Sequence, residues 1–319
     1  MGRLYYQVVG YLFAGQGSQY AGMGKDLYEA FPESKAIFER ADKALGFSIS
    51  KVCFAGQPET LKQTIFSQPA ILTVSMAAYA AFKAKCVIPA KAGILDPRFH
   101  GDDPSFMAGL SLGEYSALIA GEVFTFEDGL KLVRRRAEIM EEATFKHPGK
   151  MAAVLELPLD KVKDICLKSG AEVANINAPG QIVISGKKDA VDKAKDLCVQ
   201  AGAKRVIELE VSGGFHSSLM FEASVELKQR LEKMPISVPA VPVISNYTAC
   251  PQYKIIQIKE NLVYQIYKPV RWEESMKYML AQGVTNFVEF GPGKVLKGLM
   301  RRIDNNAQVI NVEKSADIA

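Results

Sequence analysis

Histidine is scarce in this chain, with three among 319 residues, and tryptophan scarcer still, with one. Any chemistry that needs an imidazole must use His100, His147 or His216. The five cysteines, Cys53, Cys86, Cys166, Cys198 and Cys250, are odd in number and show no C-x-x-C spacing. That pattern argues against a disulfide framework and against a zinc site. It is expected of buried thiols in a reducing compartment. Neither sign of charge dominates: 39 Lys and Arg face 35 Asp and Glu, a formal net charge of +4. A dedicated nucleic-acid binder carries far more clustered charge, so no nucleic-acid partner is expected, whereas an acidic protein partner is permitted. The longest uncharged run, Gln63 to Phe82, is interrupted by Ser67, Gln68, Pro69, Thr73 and Ser75. It reads as a buried amphipathic helix starting near Pro69, not as a membrane span. The N-terminal apolar stretch after Arg3 includes Gln7 and ends in a glycine-rich turn without a clear cleavage site. Tyr6 stands where a myristoylation signal needs Ser or Thr. A cytoplasmic location is therefore expected.

What is present is core-forming: 48% of the residues are hydrophobic, enough for one large core and a smaller subdomain. "VVGYLF" (8 to 13) reads as a buried strand emptying into the loop "AGQGSQ", followed by helical "GKDLYEAFPESKAIFERADKAL". "PSFMAG" reads as a second strand and "LGEYSALIAG" as the helix after it. Such alternation predicts an α/β fold with a mostly parallel sheet. From Gly149 to Val211 the order becomes strand, helix, strand, strand, helix, strand, that of a ferredoxin-like unit. The expected division is a core from 1–146 and 213–319 with an inserted subdomain at 147–212. Residues 86–104, with Pro89, Pro97, Pro104, Gly93 and Gly101, read as a surface excursion that neither a continuous helix nor a central strand can occupy.

Between the second strand and its helix stands Gly109-Leu110-Ser111-Leu112-Gly113. G-x-S-x-G at a strand-to-helix turn is the nucleophile-elbow pattern, in which the glycines give neighbouring backbone room and the serine is pushed outward. The same residues are also compatible with a tightly packed helix that Ser111 merely caps. A serine needs a base to act as nucleophile. His100 and His147 fall in loops, whereas His216, in "VSGGFHSSLM", follows a strand and two glycines and opens a helical run. His216 can face a cleft, or it can simply cap that helix. No acidic residue near it stands out as a third triad member, so a backbone carbonyl is expected to orient the ring. Arg134, Arg135 and Arg136 are consecutive on a helix and cannot all face one way. One can point inward with the others solvated, or all can form a surface patch.

Six motifs in order, "GQGSQ" (15–19), "GLSLGEYSAL" (109–118), "LVRRRAEIM" (132–140), "NINAPGQIVISG" (175–186), "GGFHS" (213–217) and "GPGKVL" (291–296), resemble those of the malonyl-CoA:acyl carrier protein transacylases of fatty-acid and polyketide synthesis. The resemblance covers about Val8 to Ile303. It implies an α/β-hydrolase-like core and a ping-pong transfer of malonyl from malonyl-CoA to the phosphopantetheine thiol of acyl carrier protein, with no bound cofactor. By that resemblance Ser111 is the nucleophile, His216 its base, and the Gln16 and Leu112 amides the oxyanion hole. Arg136 holds the malonyl carboxylate, Phe215 crowds out larger acyl groups, and the Gln265 main-chain carbonyl orients His216, its side chain being incidental. A monomer is expected, with Lys294, Lys297, Arg301 and Arg302 as docking candidates for the acidic carrier protein. Three departures stand out: Leu110 where the family has His, Ala14 where it has Pro, expected to loosen that loop, and the longer connection at 86–104. A serine esterase or thioesterase, and a carrier-binding scaffold that has lost activity, are the alternatives.

Overall fold

The computed structural model describes residues 8–92 and 104–318. The larger sheet consists of β1 (Val9–Phe13), β2 (Phe106–Gly109), β7 (Val243–Ile244), β8 (Pro251–Gln252), β9 (Asn286–Phe290) and β10 (Gln308–Val312), in the order β10-β9-β1-β2-β7-β8, with β1 and β2 uninterrupted apolar runs. Its neighbours run parallel except β7 and β8. All of β1 is buried, as a strand covered on both faces must be. Phe13 is in register with Gly109 and with Phe290. The loops after these three strands therefore leave from one edge, the carboxyl end where open α/β sheets place their ligands.

The helix Thr64–Ala92 crosses the core. Ile71, Leu72, Val74 and Ala77 are buried, and so are Ser67, Gln68, Thr73 and Ser75. From Ser67 to Tyr79 it is enclosed on all sides, not amphipathic, and it begins at Thr64 instead of near Pro69. Its Thr64–Lys85 stretch is long and apolar enough to cross a membrane, but 83% of that window lies inside the fold. Proline 69 has no N–H to give the Ile65 carbonyl. Arg134 Nη1 donates to that carbonyl at 2.7 Å instead, which removes the reason to end the helix. The helix also continues into the proline-rich segment as far as Ala92, through Pro89. Residues 93–103 of the expected excursion, with His100, lie outside the described residues. A further correction concerns the first helical stretch, which is two helices, Lys25–Ala30 and Pro32–Leu45. Phe31, preceding a proline, is extended (φ −128°, ψ 124°) and breaks it.

The second sheet holds β3 (Gly149–Leu155), β4 (Glu172–Ala178), β5 (Gln181–Lys187) and β6 (Arg205–Glu208) in the order β4-β5-β3-β6, all antiparallel. With the helices Leu159–Ser169 and Lys188–Gln200 it forms the ferredoxin-like arrangement. Alternation sorts its faces: Ala152, Val154, Ile182 and Ile184 pack with those helices, while Met151 and Val183 pack into the main core. Val270 stitches the sheet to the core, donating to Ala174 O at 2.9 Å and accepting from Ile176 N at 2.8 Å.

The two elbow glycines answer to close backbone approach. A Cβ on Gly109 would lie 2.0 Å from Gly113 C, and one on Gly113 would lie 2.2 Å from Phe13 O. Gly113→Ala must push the helix Leu112–Ala120 off β1, with an expected loss above about 3 kcal/mol. Thermal unfolding of the variant followed by circular dichroism measures this; an unchanged midpoint would show that the helix has room to spare.

Candidate active site

At the carboxyl edge of β2 the chain turns into the helix Leu112–Ala120 through Ser111, whose φ of 52° and ψ of −99° are rare for a residue with a side chain. The surroundings hold it there. Ser111 N donates to Asn246 Oδ1 at 2.6 Å, and Ser111 O accepts from Gln265 Nε2 at 2.8 Å. Asn246 Nδ2 in turn donates to Gly109 O at 2.8 Å, so one side chain grips the elbow on both sides of the turn. The Ser111 hydroxyl sits 2.8 Å from His216 Nε2 and 3.1 Å from Arg136 Nη2. On the far side of the ring, His216 Nδ1 is 2.8 Å from Gln265 O. A carbonyl can only accept, so Nδ1 carries the proton and Nε2 is free to accept from the serine. Ser111 and His216 are buried, at 8% and 5% exposure, on the floor of a cavity of about 600 Å³ that Gln16, Leu110 and Phe215 also line.

Arg136 comes from the helix Phe126–Lys146, which Thr125 caps by accepting from Asp128 N at 3.1 Å. It is the inward member of the arginine triplet, 1% exposed. Its Nη1 donates to Gln68 Oε1 at 2.8 Å and its Nη2 also reaches Gln265 Oε1 at 3.2 Å. The other two are not free in solvent as expected. Arg134 bonds Glu138 and Ile65 O and lies over the Phe47 and Phe66 rings, and Arg135 bridges Glu138, Glu142 and Glu226. Of the oxyanion-hole candidates, Leu112 opens its helix directly after Ser111, and Gln16 lies in the loop that follows β1. Among the described residues neither amide donates to a protein acceptor.

The chain is similar to an acyl transferase domain over residues 10–316. It is 44% identical over 309 residues, 95% of this chain and 93% of the relative, to a malonyl CoA-acyl carrier protein transacylase of Bacillus subtilis (strain 168). The crystal structure of a Streptococcus pneumoniae enzyme abbreviated MCAT superposes with a TM-score of 0.88 at 40% identity, covering 97% of each chain. A structure of a type II PKS acyl-carrier protein in complex with its malonyl-transacylase superposes with a TM-score of 0.90 at 36% identity, covering 98% of each chain. This chain belongs to the malonyl CoA-acyl carrier protein transacylase family.

In this transacylase the largest influence on His216 is burial, which disfavours the imidazolium; the nearby Arg136 charge acts in the same direction and the Gln265 carbonyl opposes them. The result lowers its pKa from 6.5 to about 4. Burial likewise pulls the Arg136 pKa below its ordinary value. Glu114, wholly buried, is pushed up to about 7 by desolvation, against donors from Asn246, Gln265 and Gln252. Among the described residues no cluster of three or more His, Cys, Asp or Glu could hold a metal.

Several residues of this site differ from expectation. The Gln265 side chain is not incidental, since it bonds Arg136, Ser111 O and Glu114 at once. Ala14 does not free its loop: its N–H, which a proline would lack, donates to Phe290 O at 3.1 Å. Arg302 is engaged by Glu156 at 3.0 Å, and Cys250 is exposed where a buried thiol was expected. Glu114, Asn246 and Gln68 went unnoticed in the sequence. Only Glu114 carried a signal there, as a lone acid in an apolar helix one turn beyond Ser111.

A base is active when neutral, so a lowered pKa extends its range toward acid. Labelling of Ser111 by a fluorophosphonate is expected to hold its rate down to about pH 5 and to fall as pH drops through about 4. An acidic limb centred at 6.5 would place the histidine in water instead of in this cavity.

Proposed function

We propose that this acyltransferase moves a malonyl group from malonyl-CoA to the phosphopantetheine thiol of acyl carrier protein through a malonyl-Ser111 ester. In the first half-reaction Ser111 Oγ attacks the thioester carbonyl and gives its proton to His216 Nε2. The oxyanion takes the free Gln16 and Leu112 amides, each such donor being worth about 3 kcal/mol in related chemistry. The carbon–sulfur bond then breaks, and the departing thiolate of CoA takes the proton from His216. In the second half the carrier's thiol gives its proton to His216 and attacks the ester, and Ser111 leaves with that proton restored. The Gln265 carbonyl keeps the ring in the tautomer this shuttle needs.

The observation that carries the reading is the buried Arg136 guanidinium 3.1 Å from Ser111 Oγ. A fixed cation beside the nucleophile suits an acyl group that ends in a carboxylate, which its planar fork can take up by two parallel bonds. An esterase for neutral acyl groups has no use for it. Phe215, 4% exposed on the cavity wall, leaves little room for a branched acyl chain. A single methyl is worth about 1–3 kcal/mol of discrimination. Residues 147–212 serve as an inserted subdomain that closes the cavity with Met151, Asn175 and Val183. Exposed Lys294, Lys297 and Arg301 beside the carboxyl-edge loops give the acidic carrier a positive face. The buried thiols of Cys53, Cys166 and Cys198 accord with a cytoplasmic setting.

Incubation with malonyl-CoA should shift the intact mass by one malonyl group, located on Ser111 and cleared by carrier protein. Arg136→Ala should slow malonyl loading about 100-fold or more, the loss of two charged hydrogen bonds, while acetyl loading changes much less. Equal losses on both acyl groups would remove Arg136 from acyl recognition.

A further inference from the structure

Arg136 is a fully buried cation with no acid beside it. Among the described residues its hydrogen-bond acceptors, Gln68 Oε1, Ser111 Oγ and Gln265 Oε1, are all uncharged, the neutral Tyr115 ring lies 5.2 Å from the guanidinium, and Nε has no hydrogen-bond acceptor. A buried charge left without compensation is strongly destabilising, and an arginine does not escape by losing its proton. The compensating carboxylate stands one side chain away. Gln265 Nε2 donates to Glu114 Oε2 at 2.8 Å while Gln265 Oε1 accepts from Arg136 at 3.2 Å. Glu114 is 0% exposed and does not line the cavity.

Every group aimed at Glu114 is a donor: Asn246 N at 3.0 Å and Gln265 Nε2 at 2.8 Å on Oε2, and Gln252 Nε2 at 3.0 Å on Oε1. It also lies in the first turn of its helix, where the helix dipole favours an anion. These donors and the dipole favour the ionised form against the burial that raises the pKa to about 7, so above that pH the group is a carboxylate. The acceptor-only carboxylate also dictates which way the Gln265 amide points. Reversing that amide would turn its NH2 toward the guanidinium and its oxygen toward the Ser111 carbonyl.

We propose that Glu114 is the counter-ion of Arg136, coupled to it through the Gln265 amide, and that it balances the guanidinium whenever no acyl carboxylate is bound. Being one amide removed, it neutralises the charge without occupying the fork. Glu114 is therefore a positioning residue, and the inference rests on the reading that Arg136 receives the malonyl carboxylate. A direct salt bridge would have to be broken by each incoming substrate; this indirect one leaves the cation both paired and available.

Glu114→Gln keeps the shape and removes the charge, since Gln252 and Asn261, joined by a 3.0 Å bond, can reverse their amides to face the new NH2. The unliganded variant is expected to melt about 5 °C or more below the unmodified protein. With saturating malonyl-CoA the acyl carboxylate supplies the missing charge, and the gap should shrink by at least half. Acetyl-CoA, which loads no carboxylate, should leave it unchanged. A purely structural role for Glu114 predicts equal gaps in all three conditions, and that result, or no gap in any, overturns the proposal. Adding Arg136→Met to Glu114→Gln should raise the melting point again, a comparison that stands even where the single variant fails to fold; a further drop counts against the pairing. Failure of the underlying reading shows separately, as absence of a malonyl mass shift in the unmodified protein.

Discussion

The close seating of one helix on one strand governs this molecule. The helix Leu112–Ala120 can lie against β1 only because Gly109 and Gly113 have no side chains at the crossing. That approach forces the intervening residue into a turn with φ near 52°, so that Ser111 projects its hydroxyl beyond the edge of the sheet. Strain of this kind costs about 1–3 kcal/mol and persists only where the surroundings over-determine it. Here Asn246 and Gln265 hold both backbone polar groups of the serine. Rigidity at this point lets two long-range partners, His216 and Arg136, meet Ser111 Oγ at hydrogen-bond distance.

Electrostatics then follows from how little water reaches that point. Burial keeps His216 neutral and ready to accept a proton, and the adjacent guanidinium reinforces this by repelling a second positive charge. The same burial makes Arg136 costly to maintain and raises the worth of an anion that reaches it. Gln265 connects these effects, since its carbonyl orients the imidazole while its amide joins Arg136 to Glu114. His216, Arg136 and Glu114 thus share one residue as partner, and the same residue holds the Ser111 carbonyl.

Much of the architecture was legible because periodicity is local. The first two strands of the larger sheet, the strand-helix order of 149–211 and the elbow are written in short windows of apolar spacing and glycine placement. The misreadings came where distant groups overrode a local rule. Pro69 was expected near a helix start, but Arg134 supplies the bond that the proline interrupts. Ala14 was expected to loosen a turn, yet its amide is tied to β9.

For the site, the sequence alone determined which residues were available: one serine between spaced glycines, few histidines, and an arginine run on a helix whose members cannot all face one way. Residue type and spacing are enough for that, because chemistry limits what can act as nucleophile, base or carboxylate anchor. Only the tertiary structure decided that Glu114, Asn246 and the Gln265 side chain complete the arrangement. Their contacts span separations of up to 154 residues, and hydrogen bonding between buried polar groups leaves no periodic trace in a chain. It depends on which donors and acceptors the folded core brings within about 3 Å of one another.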